Sequence, residues 1–208
     1  MSTVVEPRES LAGVSSWNIA NALTVFRLLL VPVFLALLLA EDGERTGLRV
    51  AAWVVFALAS WTDRIDGQIA RSRGLVTSFG KLADPIADKA LTGAALVGLS
   101  LLAELPWAVT VLVLVREIGV TVLRFVVIRH GVMPASRGGK LKTLLQGVAI
   151  GLYVLPLSGL LASVRGGLMA LAVVVTVVTG LDYVARAVVL RRTSARAEMK
   201  RARRAERA

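Results

Sequence analysis

The chain has 208 residues, of which 56% are hydrophobic and 5% aromatic, and its mean hydropathy is +0.71. This composition is too apolar for a soluble domain of the same size, so we expect the lipid bilayer to be the solvent. The formal net charge is +11, and the absence of cysteine excludes a disulfide, a thiolate nucleophile and a zinc–thiolate site.

Six apolar runs follow one another along the chain and predict an all-α integral membrane protein with six transmembrane helices. The runs cover residues 23–40, 48–61, 90–103, 107–128, 144–162 and 168–190. Several reach the roughly 20 residues that cross a bilayer as a helix, whereas the second and third are short unless they continue through neighbouring aspartates. The first run could instead be a signal peptide, but Glu6 and Glu9 precede it and five more runs follow it.

The basic residues are unevenly distributed between alternate loops. If the N-terminus is cytoplasmic, the outer loops carry only Arg45, Arg49 and Arg165, and the inner loops and C-terminal tail carry the other loop cations. The positive-inside rule then places both termini in the cytoplasm. Arginine dominates the basic residues, as in GC-rich bacteria, so we expect a bacterial cell membrane. We divide the chain into a flexible arm (1–16), a membrane domain (17–190) and a basic tail (191–208), whose expected partner is anionic lipid and not nucleic acid.

The start of the first helix carries four polar side chains at spacings of three. Asn18, Asn21, Thr24 and Arg27 therefore lie along one side of a helix. Helix capping by Asn and Thr, with a snorkelling arginine, explains the pattern as well as ligand binding does. Spacing alone leaves both interpretations open.

Four aspartates stand at the ends of two apolar runs, in the stretch "DRIDGQIARSRGLVTSFGKLADPIADK" (63–89). Asp63 and Asp66 share one helix face, and Asp84 and Asp88, four residues apart, share a face of the next helix. An ionised aspartate at membrane depth costs at least about 2.5 kcal/mol, so the four need an offsetting partner. The short linker between the helices allows the two carboxylate faces to converge.

Converging carboxylates repel each other unless cations lie between them. Hard divalent ions with oxygen ligands, Mg²⁺ or Mn²⁺, suit a site without histidine or cysteine, and two such ions can clamp a pyrophosphate. Gly67 and Ala70 leave space beside the acids, and Arg71 can pair with phosphate. Alternatively, the acids only pair with nearby cations, which explains four carboxylates at helical spacing poorly.

The motif Asp63-x2-Asp66-Gly67-x2-Ala70-Arg71-x8-Gly80-x3-Asp84-x3-Asp88 resembles the signature of the CDP-alcohol phosphotransferases. These membrane enzymes move a phosphatidyl group from CDP-diacylglycerol to an alcohol. The resemblance implies a six-helix membrane fold with a cytoplasm-facing polar active-site cavity open sideways to lipid, and a homodimer.

The resemblance also implies roles for individual residues. Two divalent cations, Mg²⁺ or Mn²⁺, would be held by Asp63, Asp66 and Asp84, with Asp88 as the general base that also touches a metal. Binding of CDP-diacylglycerol is implied for Gly67 and Arg71, with Thr77, Asn21 and Thr24 as weaker candidates.

The acceptor is indicated by basic residues further along the chain. The stretches "NIANALTVFRLLLVP" and "VREIGVTVLRF...GVMPASRGGKLKT..Q" resemble family members that use glycerol 3-phosphate. If Arg116, Lys140 and Lys142 converge near the aspartates, with Arg124 as a further candidate, they form a cationic pocket for a dianionic phosphate on the acceptor. The alternatives are simple positive-inside topology for the two lysines and pairing with Glu117 for Arg124.

The expected activity is transfer of the phosphatidyl group of CDP-diacylglycerol to sn-glycerol 3-phosphate. Inositol phosphate fits the same pocket, and phosphatidylglycerol is the acceptor in a sibling, cardiolipin-synthase type of reaction. A divalent-cation carrier is a candidate from another class, but its carboxylates should line a continuous path. The last two apolar runs contain only Asp182 and Arg186, which disfavours such a path.

Overall fold

The computed structural model describes residues 19–72, 78–127 and 137–193, with the backbone alone for 19–20, 63–72, 78–82, 84–85, 137 and 192–193. The described ranges contain helices and no strand. Their α-helices are α1 (Ile19–Leu39), α2 (Thr46–Ser72), α3 (Ser78–Leu101), α4 (Trp107–Val127), α5 (Arg137–Val154) and α6 (Leu160–Thr193).

Each predicted apolar run corresponds to one helix, so the all-α prediction is confirmed. The second and third helices also continue through the aspartates, as the short length of their apolar runs required. Asp63 and Asp66 belong to the 27-residue α2, and Asp84 and Asp88 belong to the 24-residue α3. The acids are therefore held on regular helical backbone and not in a connecting loop.

The break between α5 and α6 lies inside the run predicted over 144–162. Helix α5 ends at Val154, and Pro156 follows in the connection to α6. Proline has no backbone N–H to continue the helix and pushes the preceding residue out of helical conformation. Arg165, which we expected in the loop, lies in α6 as a result. Pro32 has no such effect, because α1 continues through it.

The apolar core lies where α1 packs against α2 and α3, with α5 and α6 adjoining. The rings of Phe34 and Phe56 lie 5.7 Å apart between α1 and α2. A Cβ on Gly98 would come within 2.8 Å of Leu38, so this glycine permits the close approach of α3 to α1. These contacts hold α2 and α3, which carry the acids, to the same central helix.

A second set of contacts joins the helix ends opposite the aspartates. Arg49 of α2 is buried and donates to the carbonyl oxygens of Val154 (2.8 Å) and Tyr153 (2.6 Å) of α5. It also pairs with Glu104 in the α3–α4 turn, which accepts a 3.1 Å bond from Arg165 of α6. We call these side chains the Arg49 network. Asp88 lies 13 residues before the end of α3, or about 20 Å along the helix.

Large apolar side chains cover much of the outer surface. Leu29, Val115, Phe125, Leu160 and Leu181 are each more than half exposed. An apolar surface of this extent suits a bilayer better than water. Among the described residues, two stretches are long and apolar enough to cross a membrane, Asn21–Gly43 and Leu160–Arg191, and Thr46–Thr62 is a shorter apolar helix.

Candidate active site

The acids of the aspartate motif lie on two helices that contact each other. The α2 backbone holds Asp63 and Asp66 three residues apart, and the α3 backbone holds Asp84 and Asp88 four residues apart. Both spacings place the members of a pair on the same helix face. The motif thus occupies one end of α2 and the first turns of α3.

Several predicted site residues fall outside the described part of the chain. Thr77 lies between the described ranges, and the side chains of Asp63, Asp66, Gly67, Arg71 and Asp84 are not described. Among the side chains that are described, no group of three acids or histidines could hold a metal ion. The metal and nucleotide roles of these residues stay predictions.

Asp88 lines a cavity of about 510 Å³, which we call the outer chamber. The four residues predicted to bind the acceptor phosphate line this chamber as well. Its polar and charged lining consists of Asp88, Lys89, Arg116, Glu117, Thr121, Arg124, Lys140, Lys142, Thr143 and Tyr183. The structure therefore brings the predicted cations and Asp88 together, although they come from three different helices. Their role in phosphate binding stays a prediction.

Glu117 of α4 joins three of the cations around the outer chamber. Its carboxylate pairs with Lys142 of α5, with Arg116 at 3.2 Å and with Lys89 of α3 at 3.6 Å. The side chains of Lys142 and Glu117 are only 5% and 17% exposed. One carboxylate thus offsets a part of the charge of three cations and leaves this group with a net positive charge.

Arg116 is held in place by the last helix. Its guanidinium donates to the carbonyl oxygen of Thr176 (3.3 Å) and to the hydroxyl of Thr179 (2.9 Å), both on α6. A Cβ on Gly180 would come within 3.2 Å of the Arg116 side chain, so this glycine makes room for it. These contacts orient Arg116 before any ligand arrives.

Arg124 contacts Tyr183 and not Glu117, the partner considered for it from the sequence. Its guanidinium lies 5.2 Å from the centre of the tyrosine ring and donates to the hydroxyl at 3.1 Å. Tyr183 is buried, and its ring and hydroxyl hold the Arg124 guanidinium in place. Both residues line the outer chamber. Lys140, by contrast, is exposed and forms no ion pair with a described residue.

A smaller cavity of about 200 Å³, the inner chamber, adjoins the outer one. The two chambers share five residues, Asp88, Lys89, Glu117, Lys142 and Thr143. Beyond these shared residues, the polar lining of the inner chamber includes Arg27, Ser60, Thr92 and Gln146. Asp88 therefore faces both a strongly cationic space and a smaller polar one.

The polar residues of α1 are all buried. Arg27 is fully buried, and Asn21 and Thr24 on the preceding turns are 5% and 1% exposed. Such burial requires polar partners. Arg27 lines the inner chamber, whereas a role for Asn21 and Thr24 in ligand binding stays a prediction.

An apolar groove of about 590 Å³ lies between α2 and α5, beside the inner chamber. Phe56, Ser60 and Gly147 line both cavities, and Trp53 and Trp61 line the groove. The polar chambers and an apolar surface thus adjoin each other, as a reaction between a lipid and a polar acceptor requires.

Sequence reasoning did not assign site roles to Lys89, Glu117, Gln146 or Tyr183. A site role for Glu117 could have been predicted from the sequence. Glu117 stands beside Arg116 inside an apolar helix, and such a charged pair is costly there unless it has partners. Gln146 also stood within a stretch that resembled the family, but nothing in its spacing distinguished it from a surface residue. The contacts of these residues connect α3, α4, α5 and α6.

Comparison with known proteins identifies the class to which this fold and site belong. A family model described as CDP-alcohol phosphatidyltransferase matches residues 17–178. The chain belongs to the CDP-alcohol phosphatidyltransferase family. This match confirms the family resemblance seen in the aspartate motif. Members of the family are membrane proteins that use divalent cations.

Individual relatives carry the names of particular enzymes. A protein of Mycobacterium tuberculosis named probable phosphatidylglycerophosphate synthase is 60% identical over 170 residues, which cover 82% of this chain and 81% of the relative. A Bacillus subtilis protein named CDP-diacylglycerol–glycerol-3-phosphate 3-phosphatidyltransferase is 36% identical over 180 residues, covering 80% and 93%. A shorter match, 36% identical over 117 residues, is to a Streptomyces coelicolor cardiolipin synthase (CMP-forming), covering 56% and 54%.

Proposed function

We propose that the chain transfers the phosphatidyl group of CDP-diacylglycerol to sn-glycerol 3-phosphate, forming phosphatidylglycerophosphate and CMP. The outer chamber carries this proposal, because Arg116, Arg124, Lys140 and Lys142 line the same cavity as Asp88. Such a chamber suits an acceptor that has a phosphate at one end and a reactive hydroxyl at the other. The names of the relatives in M. tuberculosis and B. subtilis agree with this acceptor.

We propose that the six helices span a bacterial cell membrane, with both termini and an active-site cavity on the cytoplasmic side. The charge asymmetry of the loops supports this orientation, and the apolar outer surface supports the membrane setting. The membrane domain would comprise residues 17–190, between a flexible arm and a basic tail. A homodimer is part of the same proposal, on the basis of the family resemblance.

We propose that Asp63, Asp66, Asp84 and Asp88 hold two divalent cations, Mg²⁺ or Mn²⁺. The donor set fits, because four carboxylates on two contacting helices supply the oxygen ligands that these ions prefer. When bound, the cations would supply positive charge beside the pyrophosphate of the lipid substrate.

The protein's own residues would hold and orient the two substrates. Gly67 leaves room for the cytidine diphosphate and Arg71 pairs with its phosphates, with Thr77, Asn21 and Thr24 as further contacts. Arg116, Arg124, Lys140 and Lys142 bind the acceptor phosphate. Arg116 is already anchored to α6, so little conformational freedom is lost when the phosphate binds.

Asp88 would accept the proton from the C1 hydroxyl of glycerol 3-phosphate. As the proton leaves, the hydroxyl oxygen forms a bond to the lipid-linked phosphorus, and the bond from that phosphorus to the CMP oxygen breaks. Proton transfer accompanies attack, because a carboxylate surrounded by cations is a weak base. Positioning and charge neutralisation therefore provide most of the rate acceleration.

The test is CMP release by the purified enzyme with CDP-diacylglycerol and a panel of acceptors. We expect activity with glycerol 3-phosphate, loss of activity on chelation of divalent cations, and a fall in kcat of about 10²- to 10⁴-fold in Asp88→Asn. Asp182→Asn is the matched control, since it removes an exposed carboxylate on α6. Undiminished activity of Asp88→Asn, or activity without a divalent cation, would contradict the mechanism.

Phosphatidylglycerol is the second candidate acceptor, because one relative is a cardiolipin synthase. Inositol phosphate remains a third, since it also carries a phosphate. The same panel separates the three by their kcat/KM values. A divalent-cation carrier predicts instead cation flux into liposomes without CMP release.

A further inference from the structure

Gln146 of α5 lines the inner chamber and carries a buried side-chain acceptor, Oε1. The residue is only 5% exposed and lines the cavity of about 200 Å³ that Asp88 also lines. Its side-chain oxygen Oε1 accepts no hydrogen bond from any residue that the structure describes. A buried carbonyl oxygen without a donor is costly, so a donor from a bound molecule is the natural partner.

The size and lining of the inner chamber limit what that molecule can be. Sites for drug-sized ligands occupy roughly 300–1,000 Å³, so a cavity of about 200 Å³ suits a smaller polar group. Lys142 and Arg27 in the lining carry only hydrogen-bond donors, whereas Gln146 offers an acceptor. A hydroxyl group satisfies both kinds of neighbour, because it accepts from a cation while it donates to the carboxamide oxygen.

We propose that Gln146 Oε1 accepts a hydrogen bond from the free middle hydroxyl of the acceptor and so selects vicinal-diol phosphates over simple alcohol phosphates. This inference rests on the proposed function. The acceptor's reactive hydroxyl is then next to Asp88 and its phosphate lies among the cations of the outer chamber. The middle hydroxyl is one carbon away from the reactive one, next to the inner chamber that Asp88 also lines.

The experiment compares glycerol 3-phosphate with 3-hydroxypropyl phosphate, which lacks only the middle hydroxyl. We expect wild-type kcat/KM to be about 10- to 100-fold lower for the deoxy analogue, the effect of leaving a buried acceptor unpaired. Gln146→Leu and Gln146→Met should lower kcat/KM for glycerol 3-phosphate by a similar factor and leave that for the analogue within about twofold. Gln146→Glu, which retains an acceptor, should keep the preference for the diol.

The activity of each variant with the deoxy analogue shows whether the variant is folded. If Gln146→Leu does not fold, Gln146→Met provides the same comparison of the two acceptors. Equal losses with both acceptors would overturn the inference, because Gln146 would then bind only water or support the helix. A wild-type enzyme that does not distinguish the two acceptors would overturn it as well. Failure of the wild type with both acceptors, together with CMP release for another alcohol, would refute the proposed function itself.

Discussion

At the scale of single residues, charge compensation shapes the site. Three cations meet one carboxylate at Glu117, and this carboxylate lies between the two chambers. Glu117 stabilises the three cations inside an apolar bundle without neutralising all of their charge, because the three share one carboxylate. Positive charge therefore remains for an anionic ligand.

Lys140 gives the sharpest test of the outer chamber as a phosphate site. It lines that chamber, is exposed and forms no ion pair with a described residue, so removing its charge should not disturb the fold. We expect Lys140→Met to raise the KM for glycerol 3-phosphate about tenfold, the loss of one charge-assisted bond, with an unchanged KM for CDP-diacylglycerol. Arg191→Met, which removes an exposed charge near the end of α6, is the control. Equal effects of the two variants would argue against the site.

Glu117 should matter for stability. Glu117→Gln leaves the nearly buried Lys142 without its carboxylate, a loss of about 3–5 kcal/mol for a buried pair. At roughly 2–4 °C per kcal/mol for a chain of this size, Tm in detergent should fall by at least about 6 °C. Asp182→Asn breaks the exposed Asp182–Arg186 pair and should lower Tm by less than about 4 °C. Similar shifts in a thermal melt of the two variants would contradict this reading of Glu117.

At the scale of elements, α2 has two functions at its two ends. Its first turns carry Arg49, which joins α2 to α5 and the α3–α4 turn, and its last turns carry Asp63 and Asp66. The two ends are separated by apolar residues that pack on α1, such as Phe56. The Arg49 network therefore holds the helices together at a distance from the chemistry.

Arg49→Met should destabilise the protein without changing the reaction. Its loss leaves Glu104 and two carbonyl oxygens with fewer donors, so Tm should fall by at least about 6 °C. Arg45→Met is the matched control: its pair with Glu41 is exposed, and its removal should shift Tm by less than about 4 °C. At a temperature where both variants are folded, kcat should equal that of the wild type. A large loss of kcat in Arg49→Met under those conditions would show that the network also affects the site.

At the scale of the whole molecule, the proposed membrane orientation rests on the distribution of charge. Cations of the proposed cytoplasmic side line the outer chamber, and the Arg49 network lies at the other end of the helices. Under the proposed function the same basic residues serve topology and ligand binding, so the two interpretations considered for Lys140 and Lys142 are compatible. The chain contains no cysteine, which makes the orientation easy to test.

Single cysteines introduced at Glu44 and Arg191 should report opposite sides of the membrane. Both positions are exposed, the first in the α1–α2 connection and the second near the end of α6. In intact spheroplasts, a membrane-impermeant maleimide should label Glu44→Cys, whereas Arg191→Cys should react only after the membrane is opened. The cysteine-free wild type provides the background. Labelling of Arg191→Cys from outside would reverse the proposed topology.

Local patterns predicted much of this protein because they depend on residues close together in the chain. The apolar runs predicted the six helices, and the need for longer helices correctly placed the acids on α2 and α3. Pro156 explains why α5 ends inside the run predicted over 144–162, but the position of α6 around Arg165 depends on packing against α5 and on the Arg49 network. Such contacts leave no periodic signal.

The sequence alone determined the class of chemistry, because the aspartate motif requires only helical spacing within α2 and α3. It also predicted which cations bind an acceptor phosphate, since charges inside apolar helices are costly without a partner. Only the tertiary structure decided that these cations surround one cavity with Asp88, that Glu117 joins Lys89, Arg116 and Lys142, and that Gln146 lines the adjoining chamber. These facts depend on how helices distant in the chain pack together, and side-chain partners across such distances cannot be read from spacing.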